Sequence, residues 1–574
     1  MTSLPTFKKV LKKYQFEISS SQLRAAQTKA NKTNKGLEEV LIAEGLLDEN
    51  AFYQKLGDFL EVPFVSLKNR EMRKEVINLI PGPVAGTHQV VAFDKGSTEI
   101  KLAMTDPTDI QTIEFLRRKT GLEPKVYITT PSDLREALHH YHSELEEELK
   151  VIQEGSDSGS AGDLKKAAAS VSVINVINSV LENAVFEGAS DIHIEPTEKD
   201  LIVRYRIDGV LKPVMNLPKA IQNGVVARIK ILANLKLDEH MIPQDGRFKI
   251  QIQEEKLAFR TSILPVYDGE KIVMRILHEG SKALTLDQLG LLDKPRQIVD
   301  AAIRKPHGMI LVTGPTGSGK TTTLYSILGI LNQPGVNIST VEDPIEYRVT
   351  GVNQSQVNPK VGFTFASGLR ALLRQDPNII MVGEIRDQET AEIAINAAMT
   401  GHLVLSTLHT NDAATTLPRL IDMGVPPFLV AYTANIIVAQ RLVRKICEFC
   451  KKEFPLDKVA SQELGKVFDV KKLLPLFREH AKLTAKEKDL DRLAFYQGEG
   501  CRRCGQTGFK GRVGIYEVLE ITEELTKMIN QRETALAIKE YGRGHGMLTM
   551  LEDGLVKAKL GTTTISEVLR VTKE

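Results

Sequence analysis

Four runs of apolar residues stand out in the second half of the chain. They are Met309–Val312 before Gly314, Asn337–Val341 before Glu342, Asn378–Val382 before Gly383-Glu384, and His402–Leu408 before His409. Short continuous apolar runs that close on glycine or polar clusters read as strands buried on both faces, the pattern of a parallel sheet. Upstream the pattern changes. Val173, Ile174, Ile177, Val180, Leu181 and Ala184 recur at helical spacing. Leu201 to Ile207 alternates with period two and ends on Asp208-Gly209, a hairpin turn signal. That alternation puts Leu201, Val203, Tyr205 and Ile207 on one face and Ile202, Arg204, Arg206 and Asp208 on the other. Gln244-Asp-Gly-Arg247 reads as a second hairpin turn, with Arg260 and Arg275 on later strands.

Near the start, Leu37, Val40, Leu41, Leu46 and Leu47 sit at helix-like spacing around a break at Gly45. Val90–Phe93 and Ile100–Met104 form a strand pair about Asp94-Lys-Gly96, and Asp106-Pro107 opens a helix. At the far end, Arg512–Glu574 is mostly helical, with an edge strand at Val513–Val518.

These shifts divide the chain into an N-terminal α/β adaptor domain over 1–150, a small α+β domain over 169–285 and a nucleotide domain over 286–574. The segment 151–168 contains Gly155-Ser-Asp-Ser-Gly-Ser-Ala-Gly162 and reads as a flexible linker that lets the first domain move. A length of 574 residues supports several domains.

Composition removes some functions. With 42% hydrophobic and 26% charged residues the chain is an ordinary soluble type. A net charge of +2, no Trp and 5% aromatic residues argue against a nucleic-acid binder, which needs a basic channel or stacking platforms. The longest apolar candidate for a membrane span, Phe428–Ala439, is short and broken by Tyr432, Thr433 and Asn435. Met1–Tyr14 has no apolar stretch of the kind a secretory signal carries. The expected location is cytoplasmic, with membrane contact only through partners.

The chemistry begins at the first run. Gly314-Pro315-Thr316-Gly317-Ser318-Gly319-Lys320-Thr321-Thr322 matches G-x-x-x-x-G-K-T between a strand and a helix. Glycines let backbone N–H groups wrap a polyphosphate, and the helix N-terminus adds partial positive charge. Lys320 reaches the β/γ-phosphates and Thr321 can ligate Mg²⁺. The other three runs end in Glu342-Asp-Pro-Ile-Glu346, Gly383-Glu384 and His409-Thr-Asn-Asp412, at the sheet edge where open α/β folds bind ligands. ATP chemistry needs a carboxylate to polarise water and an acid to hold Mg²⁺ through its water shell. Glu384 occupies the Walker-B position, with Gly383 where an aspartate is usual. His409 could sense the γ-phosphate; His402 is open between a catalytic and a structural role. Arg370 and Arg374 share a helix face, either solvent-facing or compensating charge at the nucleotide. For Arg204 and Arg206 a solvated face is the commoner state of such a pair, against contact with a neighbouring subunit's phosphates.

All four cysteines fall in two C-x-x-C pairs, Cys447/Cys450 and Cys501/Cys504. They fit one tetrahedral Zn²⁺ better than two redox dithiols, with knuckles joined across a Lys-rich helical excursion over 451–496.

Gly314–Thr321, Thr340–Glu346, Asp376–Asp387, Thr400–His409, Arg204–Gly209 and the four cysteines together resemble the Walker A, Asp box, atypical Walker B, His box, arginine and tetracysteine motifs of secretion-superfamily ATPases. The resemblance covers about residue 170 to the end. With its tetracysteine element and long N-terminal extension, the chain is similar to type IV pilus assembly and type II secretion ATPases and unlike the shorter retraction ATPases.

The resemblance implies an α/β fold. It comprises a RecA-like P-loop ATPase core with a tetracysteine zinc insertion over 447–504, a PAS-like α+β domain before it, and an N-terminal α/β domain. It implies a homohexamer that uses ATP, Mg²⁺ and Zn²⁺. Hydrolysis would move an inner-membrane platform protein and so drive pilin or pseudopilin assembly with the machine's cytoplasmic components. Glu346 becomes the general base, Glu384 the assistant to Mg²⁺ and water, and Glu342, His402 and His409 members of the same catalytic set. Arg204 and Arg206 become candidates for contacts in trans. Some relatives bind cyclic di-GMP through an Arg-Leu-Gly start and a later Gln. Here Lys35-Gly36-Leu37 stands at the start and no Gln is found in place, which puts that ligand in doubt. A nucleotide-gated scaffold with little turnover is the alternative of another class, motivated by Gly383.

Overall fold

The computed structural model describes residues 4–138 (without 15, 17, 34–36, 69, 71, 78 and 81), 171–278 (without 253 and 254), 284–455, 473–481, 483, and 493–573 without 502 and 503. The linker predicted over 151–168 lies outside the described residues. The chain forms two compact units, Met1–Glu279 and Gly280–Glu574.

The first unit opens with helices Leu4–Lys13, Ser20–Thr33, Leu37–Ala43 and Glu49–Leu60, which bury Phe7, Leu41, Phe52 and Leu56. The break at Gly45 is real, with a φ of 70° just past the third helix. A three-stranded sheet follows: β1 (Val90–Lys95), β2 (Glu99–Met104) and β3 (Glu123–Ile128). The β1/β2 pair is antiparallel, as expected, and β3 joins β2 in parallel after the crossover helix Ile110–Thr120.

Helix Val171–Phe186 then leads into six strands: β4 (Asp191–Pro196), β5 (Asp200–Ile207), β6 (Val210–Pro218), β7 (Gln244–Ile252), β8 (Glu255–Val266) and β9 (Gly269–His278). They form an antiparallel sheet in the order β6-β5-β4-β9-β8-β7. The helix buries Val173, Ile177, Val180, Leu181 and Ala184 against it, the stripe its periodicity marks. In β5 Leu201, Val203 and Tyr205 are buried while Arg204 and Arg206 are half-exposed. Asp208 and Gly209 take φ of 50° and 85°, the primed hairpin turn their sequence predicts.

Gln244–Arg247 is not a turn, which corrects that reading. All four residues lie in β7, paired with Ile263–Arg260 of β8. A Cβ on Gly246 would meet the Ala233 carbonyl oxygen at 2.6 Å, so this glycine serves a close backbone approach.

Phe186, the last residue of helix Val171–Phe186, also packs on the first sheet's core. Its ring lies 4.2 Å from Phe115 and 4.7 Å from His88, centroid to centroid. His88, at the end of helix Gly82–His88, sits 3.2 Å from both Asp109 and Glu187, and Lys119 pairs with Glu182. Burial alone pushes the His88 imidazole down, but its bonds to Asp109 and Glu187 outweigh that and lift it to about 9.

The second unit is built on β10 (Gly308–Thr313), β11 (Ile338–Glu342), β12 (Asn353–Gln356), β13 (Ile379–Val382), β14 (Leu403–Leu408), β15 (Ala434–Ile446), β16 (Lys451–Pro455), β17 (Ala494–Gly498) and β18 (Phe509–Glu520). Seven of them form one sheet in the order β12-β11-β13-β14-β10-β15-β18. Every neighbouring pair is parallel except β15/β18. β10, β11, β13 and β14 are buried at every position, the four runs the sequence marks. Separate apolar clusters cover the two faces. One is centred on helix Lys320–Leu331, the other on helices Phe365–Leu372, Gln388–Met399 and Pro427–Thr433. β18 forms the antiparallel edge.

The excursion is not simply helical, which corrects its description. Its two ends pair as the antiparallel ribbon β16/β17, and helix Leu473–His480 buries Leu473 and Phe477 against Phe495, Leu555 and Leu569.

Candidate functional site

β10, β11, β13 and β14 run in one direction, so the segments after them meet at one edge of the sheet. After Thr313 the chain turns through Gly314, Gly317 and Gly319 at φ of 144°, 80° and 89°, and helix Lys320–Leu331 begins. A Cβ on Gly314 would stand 2.4 Å from the Gln440 carbonyl oxygen. The Lys320 ammonium donates to the Gly314 and Pro315 carbonyls at 2.8 and 3.1 Å, curled over its own loop. Burial pulls its affinity for the proton down, and Glu384 opposes this. Thr321, in the helix's first turn, has no protein partner for its hydroxyl among the described residues and is free to face a metal. Pro315, Thr316 and Gly317 are exposed, and Ser318 is buried.

Glu384 follows β13 and is nearly buried. Arg386 Nη2 reaches its Oε1 at 2.5 Å and His409 Nε2 its Oε2 at 3.3 Å. Glu384, Lys320 and His409 therefore converge from three strand ends. Arg386 joins them, and its charge is further stabilised by Asp343 of the Asp box. The sequence marks Arg386 only as part of a motif; its place two residues after a buried carboxylate is the signal.

The two Asp-box glutamates differ. Glu342 is 2% exposed, and its oxygens accept from Thr340 Oγ1 at 2.6 Å, Tyr325 Oη at 2.5 Å and Gln354 Nε2 at 3.1 Å. Burial raises it above the usual carboxylate range despite these donors. Its oxygens have no open face for a water, which narrows the expectation of a catalytic role. Glu346 is half-buried, and its carboxylate takes no hydrogen bond or ion pair among the described residues.

The His box splits. His402 precedes β14, and its Nδ1 lies 2.9 Å from the Ala397 carbonyl and 3.4 Å from the Thr400 hydroxyl. His409 follows β14, so the strand's whole length separates the two rings within this chain. His402 caps helix Gln388–Met399, at the end of β14 opposite His409. Arg370 pairs with Glu389, and Arg374 donates to the Arg370 carbonyl at 3.0 Å, a solvent-face arrangement.

In the first unit, Arg204 pairs with Glu195 at 2.7 Å and Arg206 lies 3.5 Å from Asp191, which Arg275 also reaches at 3.1 Å. Both arginines are about one-third exposed and hold acidic partners within the chain.

The cysteines gather where β15 and β18 part. Ile446 pairs with Phe509, and Cys447 N donates to the Gly508 carbonyl at 2.9 Å. This closes the sequence gap between the two knuckles. The four sulfurs lie within 4.8 Å of one another, with Cys447–Cys501 at 3.8 Å, Cys450–Cys504 at 3.9 Å and Cys501–Cys504 at 3.7 Å. A tetrahedral site with zinc–sulfur bonds of about 2.3 Å sets sulfurs about 3.8 Å apart. Disulfides would need roughly 2 Å. Backbone N–H groups of Cys501 and Gly508 point at the Cys504 sulfur, both at 3.2 Å, as a thiolate requires. The set fits zinc. Among the described residues no helix is long and apolar enough to cross a membrane.

Residues 166–570 match the family described as Type II/IV secretion system protein, and residues 60–148 match the MshEN domain. The Type IV pilus assembly ATPase PilB of Myxococcus xanthus is 40% identical over 568 residues, 96% of this chain and 96% of that protein. The Type II secretion system protein E of Pseudomonas aeruginosa is 44% identical over 412 residues, 72% of this chain and 78% of that protein. The X-ray structure of the Yersinia pseudotuberculosis ATPase DotB shares the fold at a TM-score of 0.50 and 21% identity, covering 70% of this chain and 93% of that one.

Proposed function

The chain belongs to the Type II/IV secretion system protein family, and on that premise we propose that it is the hexameric ATPase motor of type IV pilus assembly, acting through an inner-membrane platform protein. It is a secretion ATPase with a RecA-like core. The observation that supports ATP hydrolysis is the convergence of Lys320, Glu384, Arg386 and His409 at one sheet edge, with Glu346 unpartnered after β11. A relative that matches nearly end to end, N-terminal domain included, favours pilus assembly over type II secretion, whose pseudopilus is the alternative cargo.

In this reading Lys320 leaves its loop carbonyls for the β/γ-phosphates as ATP enters. Thr321 would hold Mg²⁺, which neutralises charge developing on the phosphates. Glu346 polarises the attacking water as general base. Glu384, gripped by Arg386, would accept from water bound to Mg²⁺, and His409, beside it, would contact the γ-phosphate. Glu342 and Tyr325 fix the Asp-box turn beneath. Arg204 and Arg206 exchange an acidic partner for a neighbouring subunit's phosphates. Cys447, Cys450, Cys501 and Cys504 would hold zinc, a structural clamp on the ends of β15 and β18. The domains are read as 1–150, 169–285 and 286–574, at the inner face of the cytoplasmic membrane through partners.

Steady-state hydrolysis with light scattering on the same sample tests the reading, for wild type and Glu346→Gln. Hexamers whose turnover collapses in the variant support the motor and its base together. Wild-type hexamers that bind ATP without hydrolysing it, even with membrane extract, favour a nucleotide-gated scaffold.

For the first domain the proposal is docking on the cytoplasmic face of the membrane complex. The MshEN match starts after Lys35-Gly36-Leu37, and Lys35 and Gly36 lie outside the described residues. Saturable heat on titration with cyclic di-GMP would remove the doubt that Lys35-Gly36-Leu37 casts on that ligand.

A further inference from the structure

β15 runs beside the phosphate-loop strand β10, and at Gln440 it breaks an apolar run with one fully buried amide, 1% exposed. Gln440 Nε2 donates to the Ser318 carbonyl at 2.7 Å, and Gln440 Oε1 accepts from the Thr323 hydroxyl at 2.7 Å. One side chain thus spans the loop and the first turn of the helix after it. Ser318 and Thr323 are themselves 4% and 1% exposed, so water does not replace these bonds.

The orientation of the amide is dictated from outside. The Thr323 hydroxyl could donate or accept, but a carbonyl only accepts, so the NH₂ group must face Ser318. The consequence lies in the peptide that follows. In a trans peptide the C=O and the next N–H point in opposite directions. Holding the Ser318 carbonyl toward β15 therefore turns the Gly319 N–H away from β15, toward the open side of the loop. Gly319 has a φ of 89°, and a Cβ there would come 3.2 Å from Gln440 Nε2, so loop and amide are fitted to each other.

We propose that Gln440 is a positioning residue for nucleotide phosphates, whose carboxamide fixes the Ser318–Gly319 peptide with its N–H presented to the polyphosphate. The proposal rests on the reading of this loop as the ATP phosphate site. Gln440 touches no reacting atom. A mis-set peptide weakens ground state and transition state alike, so its loss raises KM and leaves kcat nearly unchanged.

The test uses the full chain and three variants. Gln440→Met keeps the length and loses both bonds. Gln440→Glu keeps an acceptor for Thr323 and loses the donor to Ser318. Thr323→Val removes only the helix side. Leaving a buried carbonyl unsatisfied predicts about tenfold weaker MgADP binding and about tenfold higher KM for MgATP in Gln440→Met and Gln440→Glu. In both, kcat stays within about threefold. Thr323→Val should keep its MgADP affinity within about threefold while melting lower.

A folded Gln440→Met protein that melts lower yet binds MgADP like wild type overturns the proposal, because the amide is then only structural. Should the Met variant not fold, Gln440→Asn, one methylene too short to reach Ser318, decides in the same way. Wild-type protein that binds no MgADP sinks the phosphate-site reading and the proposal with it. Wild-type binding matched by the variants sinks the proposal alone.

Discussion

Tyr325 donates its phenolic hydrogen to Glu342 across 2.5 Å, inside the sheet edge and under the phosphate loop. Tyr325 is fully buried on the helix after the loop, and Glu342 closes β11. The bond joins the element that would bind phosphates to the turn that carries Glu346. Tyr325→Phe removes one of three donors to a buried carboxylate and should cost about 1–3 kcal/mol of stability. Urea unfolding of the second unit's transition, monitored with and without MgADP, measures it. No loss of stability would mean that Glu342 is neutral and shares its own proton.

Glu346 and His402 should separate cleanly in kinetics. Glu346→Gln should lower kcat by about 10²–10⁴, the usual contribution of a general base, with ATP still bound. His402→Ala removes a ring that only caps the helix ending at Met399 and should leave turnover within about threefold. A His402→Ala protein that binds ATP and cannot hydrolyse it would show that the ring serves a neighbouring subunit's site.

The sulfur cluster predicts one zinc per chain by atomic absorption. Cys501→Ser should lower the bound metal and expose residues 447–504 to limited proteolysis, because metal binding at such a site is folding free energy. Hydrolysis should fall less than metal content does, since the four cysteines lie past the end of β15 rather than at the phosphate loop. A full complement of tightly held zinc in Cys501→Ser would exclude this ligand set.

His88 makes the first unit sensitive to alkaline pH. Its folded-state value of about 9 lies above its ordinary 6.5, so the folded form binds the proton more tightly. The stabilisation is complete below pH 6.5 and is lost as pH rises through 9. Its size is on the order of 2–3 kcal/mol. Asp109, held down to about 2 by its partners against burial, keeps its contribution above its ordinary value and loses it only in acid. Urea unfolding at pH 6 and pH 9.5 should show the difference in wild type and lose most of it in His88→Gln. An equal pH dependence in both would place the titrating group elsewhere.

The sequence made the phosphate loop and its sheet legible because burial on both faces leaves short runs free of charged residues. Met309–Val312 and Leu403–Leu408 could hardly be anything else. The alternation of β5 and the Asp208-Gly209 turn were equally plain. β12 was invisible, since Asn353-Gln-Ser-Gln356 carries no apolar residue and lies at the sheet's edge. Gln244–Arg247 misled because a glycine needed for backbone contact looks the same in sequence as one needed for a turn. Nor did spacing reveal how Cys447 meets Cys501 across the excursion; that follows from the register of Ile446 on Phe509. His402 and His409 read as one box because they flank one strand, and the length of β14 between them is what sets them apart.

The contact of His88 and Phe186 has a consequence for a severed chain. Covalent continuity between residues 138 and 171 is not what joins the first sheet to the helix Val171–Phe186. A protease cut anywhere in that span would leave two fragments still clasped through His88, Phe115 and Phe186 on one side and Lys119 with Glu182 on the other. Such a nicked protein would migrate as one species, so that an intact elution profile says little about whether the backbone is whole.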